Sequence, residues 1–191
     1  MRDSTDSHAL RDKSLRYYKL PRTQRTCSSP RVGILNRKVH PTLQNVGSIV
    51  HAIEKHVEGN VTFKLSSFES RNYEEQLEFL SETDILVSPH GPQLSGIPFL
   101  PNCAHLMEIF PVGYHKPSFF GSLAAVAGVH YTYLYLGSNV KRETKMAMKN
   151  ADGHEAAWKT SLCPDGDTVA RAVRVLIEEW RQCCEAEDAQ M

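Results

Sequence analysis

Along the chain, short apolar runs alternate with longer stretches in which apolar residues recur at three- and four-residue steps, the pattern of βαβ units. Five runs predict strands: Val32 to Asn36, Val61 to Leu65, Asp84 to Ser88, His105 to Phe110 and Tyr131 to Leu136. The first and third are near-continuous apolar runs, as expected for parallel strands covered on both faces. The last alternates less clearly and is placed at an edge. Between them, Leu43, Val46, Val50, Ile53 and Val57 predict a helix with Pro41 in its first turn. Asn72, with Glu75 three residues on, predicts a capped helix to Ser81 whose Leu77 and Leu80 face inward. Further helices are expected from Pro92, over Ser118 to Ala127, and after Asp165-Gly166-Asp167, where Val169, Val173, Leu176, Ile177 and Trp180 share one side. The stretch from Gly137 to Pro164 fits no element well.

These elements give an α/β fold, a Rossmann-like doubly wound parallel sheet of about five strands. The handedness of crossovers leaves two orders, 2-1-3-4-5, which is favoured, and 3-2-1-4-5. Either opens a ligand crevice at the carboxyl ends of the strands where the winding reverses. The expected domain spans 31–184, with a polar, partly disordered segment over 1–30 and a tail over 185–191. Arg2, Arg11, Lys13, Arg16, Lys19, Arg22 and Arg25 all fall in that first segment, which reads as a solvated tail.

Composition and charge narrow the function. The 191 residues are enough for one domain with a sizeable core. Formal net charge is zero, which argues against holding nucleic acid by phosphate neutralisation. The longest apolar run, around Phe119 to Val129, is interrupted by Gly121 and Gly128 and is too short to span a bilayer. Met1 to Leu10 lacks the apolar core of a signal peptide, so no signal or anchor is read in the chain. Cys27, Cys103, Cys163, Cys183 and Cys184 are odd in number and form no CxxC pair, so neither a disulfide framework nor a zinc site is expected. Cys103 and His105 alone are too few ligands for a metal.

The segment Asp84 to Gly96 carries most chemistry. A buried strand ends in Ser88 and passes into His90 and Gly91, and a helix starts at Pro92. Gly91, lacking a Cβ, lets a ligand approach the backbone. The amides of Gln93, Leu94 and Ser95 would then face a phosphate at the helix start. A plain strand-to-helix turn with a capped histidine is the competing reading. The first strand ends in Asn36 and Arg37, across the same crevice, and Arg37 offers a donor fork suited to a diphosphate. A solvated Arg37-Lys38 loop pair is the alternative. Glu108, a carboxylate inside an apolar strand, needs partners. Ribose hydroxyls or a structural arginine are equally weighted. Glu69 reads as a surface or capping residue, and Tyr114, His115 and Lys116 as a loop at the same end. There is no Gly-x-Gly-x-x-Gly, Walker loop or Gly-x-Ser-x-Gly elbow. Asn60-Val61-Thr62 is an N-glycosylation triplet, but it overlaps an expected buried strand.

Ile34-Leu35-Asn36-Arg37, Ser67-Phe68-Glu69, Glu75-Gln76-Leu77, Asp84 to Gly91, Leu94-Ser95-Gly96, Pro98-Phe99-Leu100-Pro101 and Glu108-Ile109-Phe110-Pro111 occur in this order over roughly Val32 to Leu136. In this the chain resembles glycosyltransferase family 61. It departs at Pro92, where the family has Ala, and at Ser95, where it has Thr. The resemblance implies one lobe of a GT-B enzyme, the lobe that holds the nucleotide-sugar. It implies inverting transfer of a sugar of the xylose, arabinose or N-acetylglucosamine class from a UDP-sugar to a glycan or protein acceptor, in the Golgi or endoplasmic reticulum lumen. Family enzymes carry a second lobe and an N-terminal membrane anchor, and this chain corresponds to about one lobe. The implied donor-binding residues are Asn36, Arg37, His90, Gly91, Gln93, Leu94, Ser95 and Glu108, with His90 as the catalytic candidate. No metal, no cofactor beyond the donor and no nucleic acid are implied. A non-catalytic nucleotide-sugar or glycan-binding module, or a truncated inactive fragment, is the alternative.

Overall fold

The computed structural model describes residues 4–21, 25–149 and 151–189. β1 (Arg31–Asn36), β2 (Thr62–Ser67), β3 (Ile85–Pro89), β4 (His105–Phe110) and β5 (His130–Tyr135) form one parallel sheet in the order β2-β1-β3-β4-β5. All five expected strands are present in the favoured order. β3 and β4 are buried along their whole length, β3 as its near-continuous apolar run leads one to expect and β4 with His105 and Glu108 buried inside it.

Successive strand residues point to opposite faces, so the sheet has two cores. On one face Ile34, Val87 and Ile109 pack against Ile53 of α2 (Val46–His56) and Ile177 and Trp180 of α7 (Gly166–Asp188). On the other, Leu35, Leu86 and Leu106 meet Leu80 of α3 (Tyr73–Ser81), Leu94 of a 3-10 helix (Pro92–Phe99) and Phe120 of α4 (Pro117–Ala127). Helices on both faces of a parallel sheet make this a Rossmann-like doubly wound fold.

Several elements differ from expectation. α2 begins at Val46, not near Pro41. Leu43 is buried all the same, because its segment runs extended and bridges Leu162. The Asn36 carboxamide accepts from Leu43 N at 2.8 Å and donates to Leu43 O at 3.0 Å, which holds that segment down. The 137–164 stretch contains α5 (Val140–Ala147) and α6 (Ala151–Trp158). α7 continues to Asp188, past the expected boundary at 184. α3 matches expectation fully: Asn72 and Glu75 form a reciprocal capping box.

The N-terminal segment is not a free tail. Ser4–Tyr17 forms α1, which lies against the 3-10 helix and α4. It docks mainly through polar groups. Ser7 Oγ donates to Pro98 O at 2.9 Å, and Arg11 Nη1 donates to Leu100 O at 2.6 Å, with Leu15 as the buried apolar contact. A helix held this way carries no apolar stripe, so periodicity could not reveal it. Arg2 and Arg22 lie outside the described residues.

The cysteine expectation is also corrected. Cys27 is bonded to Cys184 and Cys103 to Cys183, over separations of 157 and 80 residues. Adjacent cysteines near the end of α7 thereby tie it to the N-terminal segment and to the loop before β4. Such pairs follow from tertiary proximity, not spacing, so counting could not find them. Cys163 is the free, exposed thiol. The Cys103–Cys183 bond also removes the Cys103/His105 metal reading.

Candidate functional site

The strand order reverses between β1 and β3, and the candidate residues lie just past the carboxyl ends of these two strands. Two groupings form there, one on each flank of the turn at Gly91.

On the β1 flank is Arg37. It is only 8% exposed, with its guanidinium 5.9 Å from the Trp158 ring of α6 and its Nε 4.0 Å from Glu69. Burial lowers its pKa and Glu69 opposes that shift. Arg37 Nη1 is buried and has no hydrogen-bond partner among the described residues. A guanidinium nitrogen so placed is costly unless a ligand satisfies it. Its neighbour is Gly91: a Cβ there would stand 3.0 Å from both Arg37 Cδ and Nη1, and 2.4 Å from Gln93 Oε1. The missing side chain therefore makes room for both groups. Gln93 folds back on the turn, with Nε2 donating to Ser88 Oγ at 3.0 Å and to Pro89 O at 2.8 Å. Its Oε1 is left buried without a partner, like Arg37 Nη1.

Arg37 also lines a cavity of about 520 Å³ that opens at the carboxyl ends of β1 and β2, within the roughly 300–1,000 Å³ typical of ligand sites. Lys38, Arg71, Ser66, Ser67 and Ser70 share the lining, so the walls offer cations and hydroxyls. Glu69, expected to be a surface or capping residue, braces this wall by accepting from Lys38 N at 3.0 Å. Arg71 and the three serines were not singled out in the sequence. Only the fold brings the end of β2 beside Arg37.

On the β4 flank is His90. Its Nδ1 is 2.5 Å from Glu108 Oε1, and its Nε2 is 3.2 Å from the Tyr114 hydroxyl. Tyr131 donates to Glu108 Oε2 at 2.5 Å. Glu108 is wholly buried and His90 is 6% exposed, within reach of the Phe110, Phe119 and Phe120 rings. Burial, and then Glu108, raise the pKa of Tyr131 and Tyr114, so both keep their protons at neutral pH. With Glu108 ionised, both its partners must donate, so the proton of a neutral His90 sits on Nδ1. Nε2 is then the accepting nitrogen, and Tyr114 donates to it. Glu108 thus pairs with a histidine, where ribose hydroxyls or an arginine were weighed. The sequence pointed to His90, to Glu108 as a carboxylate in an apolar strand, and to Tyr114 in a loop at the same end of the sheet; Tyr131 was found only by the fold.

The remaining expected residues divide. Asn36 lines the same cavity as Arg37, with its carboxamide bonded to the Leu43 backbone. The Leu94 side chain is fully buried in the core. Its amide donates to Gly91 O at 3.1 Å, closing the first turn of the 3-10 helix. Three outward amides at Gln93, Leu94 and Ser95 are therefore not what the turn presents; Ser95 is exposed, and Leu94 is committed to the core. What the turn does bring together is Arg37, Gly91 and Gln93, with His90 on the far side.

A family model described as Glycosyltransferase 61 matches residues 2–107 of the chain, just over half of it. The matched stretch includes α1, β1 to β3 and the turn at His90-Gly91. No curated protein matches the chain.

Proposed function

The chain belongs to glycosyltransferase family 61, and from that premise we propose that it is the donor-binding lobe of a transferase that uses a UDP-sugar. The observation that carries this reading is the buried, unpaired Arg37 Nη1 against Gly91, beside a cavity walled by cations and hydroxyls. A diphosphate satisfies each of these groups: it accepts from a guanidinium fork, an ammonium and serine hydroxyls at once.

In inverting transfer the acceptor hydroxyl attacks the anomeric carbon, the bond to the diphosphate breaks, and the hydroxyl proton goes to a base. Negative charge grows on the departing diphosphate. Donors already fixed around it lower the barrier more than they strengthen donor binding. Arg37 is the fixed donor here, held by Glu69 and Trp158. His90 is the candidate for proton transfer, since Glu108 fixes its Nδ1 and leaves Nε2 as the acceptor, covered by Tyr114. The acceptor is a glycan or a protein hydroxyl, and the sugar is of the xylose, arabinose or N-acetylglucosamine class. Residues Gly91, Gln93 and Ser95 complete the turn on which the donor lies.

Two long-range disulfides support a lumenal setting in the Golgi or endoplasmic reticulum, since such bonds persist in oxidising compartments. A panel of nucleotides tests the donor class. UDP and UDP-sugars are expected to raise the melting temperature of the chain, with ADP and GDP weaker. Equal shifts for all, or none for UDP, would overturn the reading.

A further inference from the structure

The chain has one Asn-x-Ser/Thr triplet, Asn60-Val61-Thr62. As a sequence it overlaps an expected buried strand, where no glycan fits. The fold moves it into the open. Asn60 is exposed in the loop between α2 and β2, just past the left-handed turn at Gly59. Thr62 is exposed as the first residue of β2. β2 is an edge strand: among the described residues it pairs with β1 and no strand pairs with its other side. Thr62 N is held by Pro30 O at 3.1 Å, which fixes the triplet in an extended path. The Asn60 carboxamide and the Thr62 hydroxyl have no hydrogen-bond partner among the described residues.

A second observation comes from the opposite side of the chemistry. The two disulfides need an oxidising compartment, and the same lumen holds the machinery that modifies such triplets. We propose that Asn60 is an N-glycosylation site. This rests on the lumenal setting argued above and not on the donor site. In the reaction, Asn60 Nδ2 attacks the anomeric carbon of an oligosaccharide carried on a lipid diphosphate. The new N–C bond replaces the C–O bond to the diphosphate, which leaves with its electron pair, and the lost amide proton passes to the base of the transferring enzyme. The Thr62 hydroxyl is what that enzyme recognises two residues on.

The position is compatible with function. Asn60 lies at the amino end of the sheet, and the Arg37 cavity at the carboxyl end, one strand length or about 20 Å away. A glycan there also covers an exposed β edge, a surface that otherwise invites pairing with another chain.

The test is translation of the full chain behind a cleavable signal peptide in the presence of endoplasmic reticulum microsomes, reading only the protease-protected fraction. The expected result is one added glycan, removed by peptide N-glycosidase. It should be absent in Asn60→Gln and Thr62→Ala and retained in Thr62→Ser, which keeps the hydroxyl. A protected wild-type chain with no glycosidase-sensitive species, or a species that survives in Asn60→Gln, overturns the inference. Either failure leaves the donor-site reading standing, because UDP binding is measured on the purified chain.

Discussion

Gly91 holds a place where a single methyl group decides the geometry. A Cβ there would meet Gln93 Oε1 at 2.4 Å and Arg37 at 3.0 Å. The Gly91→Ala chain is expected to fold, because Gln93 can swing away, at an overpacking cost of about 1–3 kcal/mol. It should lose UDP affinity by calorimetry, since Arg37 can no longer stay against the turn. Unchanged affinity would detach Arg37 from the site. At Glu108 the account predicts that Gln substitution costs about 1.5–3 kcal/mol in denaturant melts, because a buried charged acceptor with two donors becomes a neutral amide. Nitrogen NMR of the His90 ring should show the proton on Nδ1 in the native chain and a changed tautomer balance in Glu108→Gln. Single residues were legible in part. Arg37 and His90 stand out in sequence by their place after buried strands, but Asn36 looked identical in kind and is used to pin Leu43. Which way a side chain turns at a strand end depends on the neighbouring segment.

Elements were read more securely than single residues. Strands buried on both faces announce themselves as apolar runs, and α3 announces itself by its reciprocal cap. Others escaped: α1, which docks by hydroxyl and guanidinium bonds to backbone carbonyls, and α5 and α6 in the 137–164 stretch. The helix expected from Pro92 is present, wound as a 3-10 helix that contains Pro98. The contact of β4 with β5 and α7 yields a pH prediction. His105 is buried, stacked on His130 at 4.5 Å, with the Glu179 carboxylate 3.6 Å from its Nδ1. Burial first, and His130 second, lower its pKa from 6.5 to about 4. The unfolded chain then binds a proton that the folded chain refuses between those values. Stability is therefore full above about pH 6.5 and falls as pH drops toward about 4. Denaturant midpoints across that window should show the fall, and His105→Phe should flatten it. A native chain with no slope there would mean that Glu179 compensates fully.

At the scale of the whole molecule, two cross-links fasten the end of α7 to segments 157 and 80 residues away. Loops of that length give disulfides their greatest effect, so loss of either is expected to cost about 2–5 kcal/mol. A reductant should lower the melting temperature of the native chain, and Cys183→Ser should reproduce part of that drop. An unchanged melt would argue against both bonds. These links were invisible in sequence because proximity across the fold creates them. The sheet order, by contrast, was narrowed to two by crossover handedness, and the favoured one is the one found; it puts Arg37 and Gly91 together at the switch point. That meeting is the claim on which the function depends. Calorimetric titration of UDP into the native chain and into Arg37→Ala tests it most directly. The account predicts saturable binding that weakens about tenfold or more in the variant, the loss of a charged hydrogen bond worth at least about 1.4 kcal/mol. Equal affinity in both chains, or no binding to the native one, would contradict it.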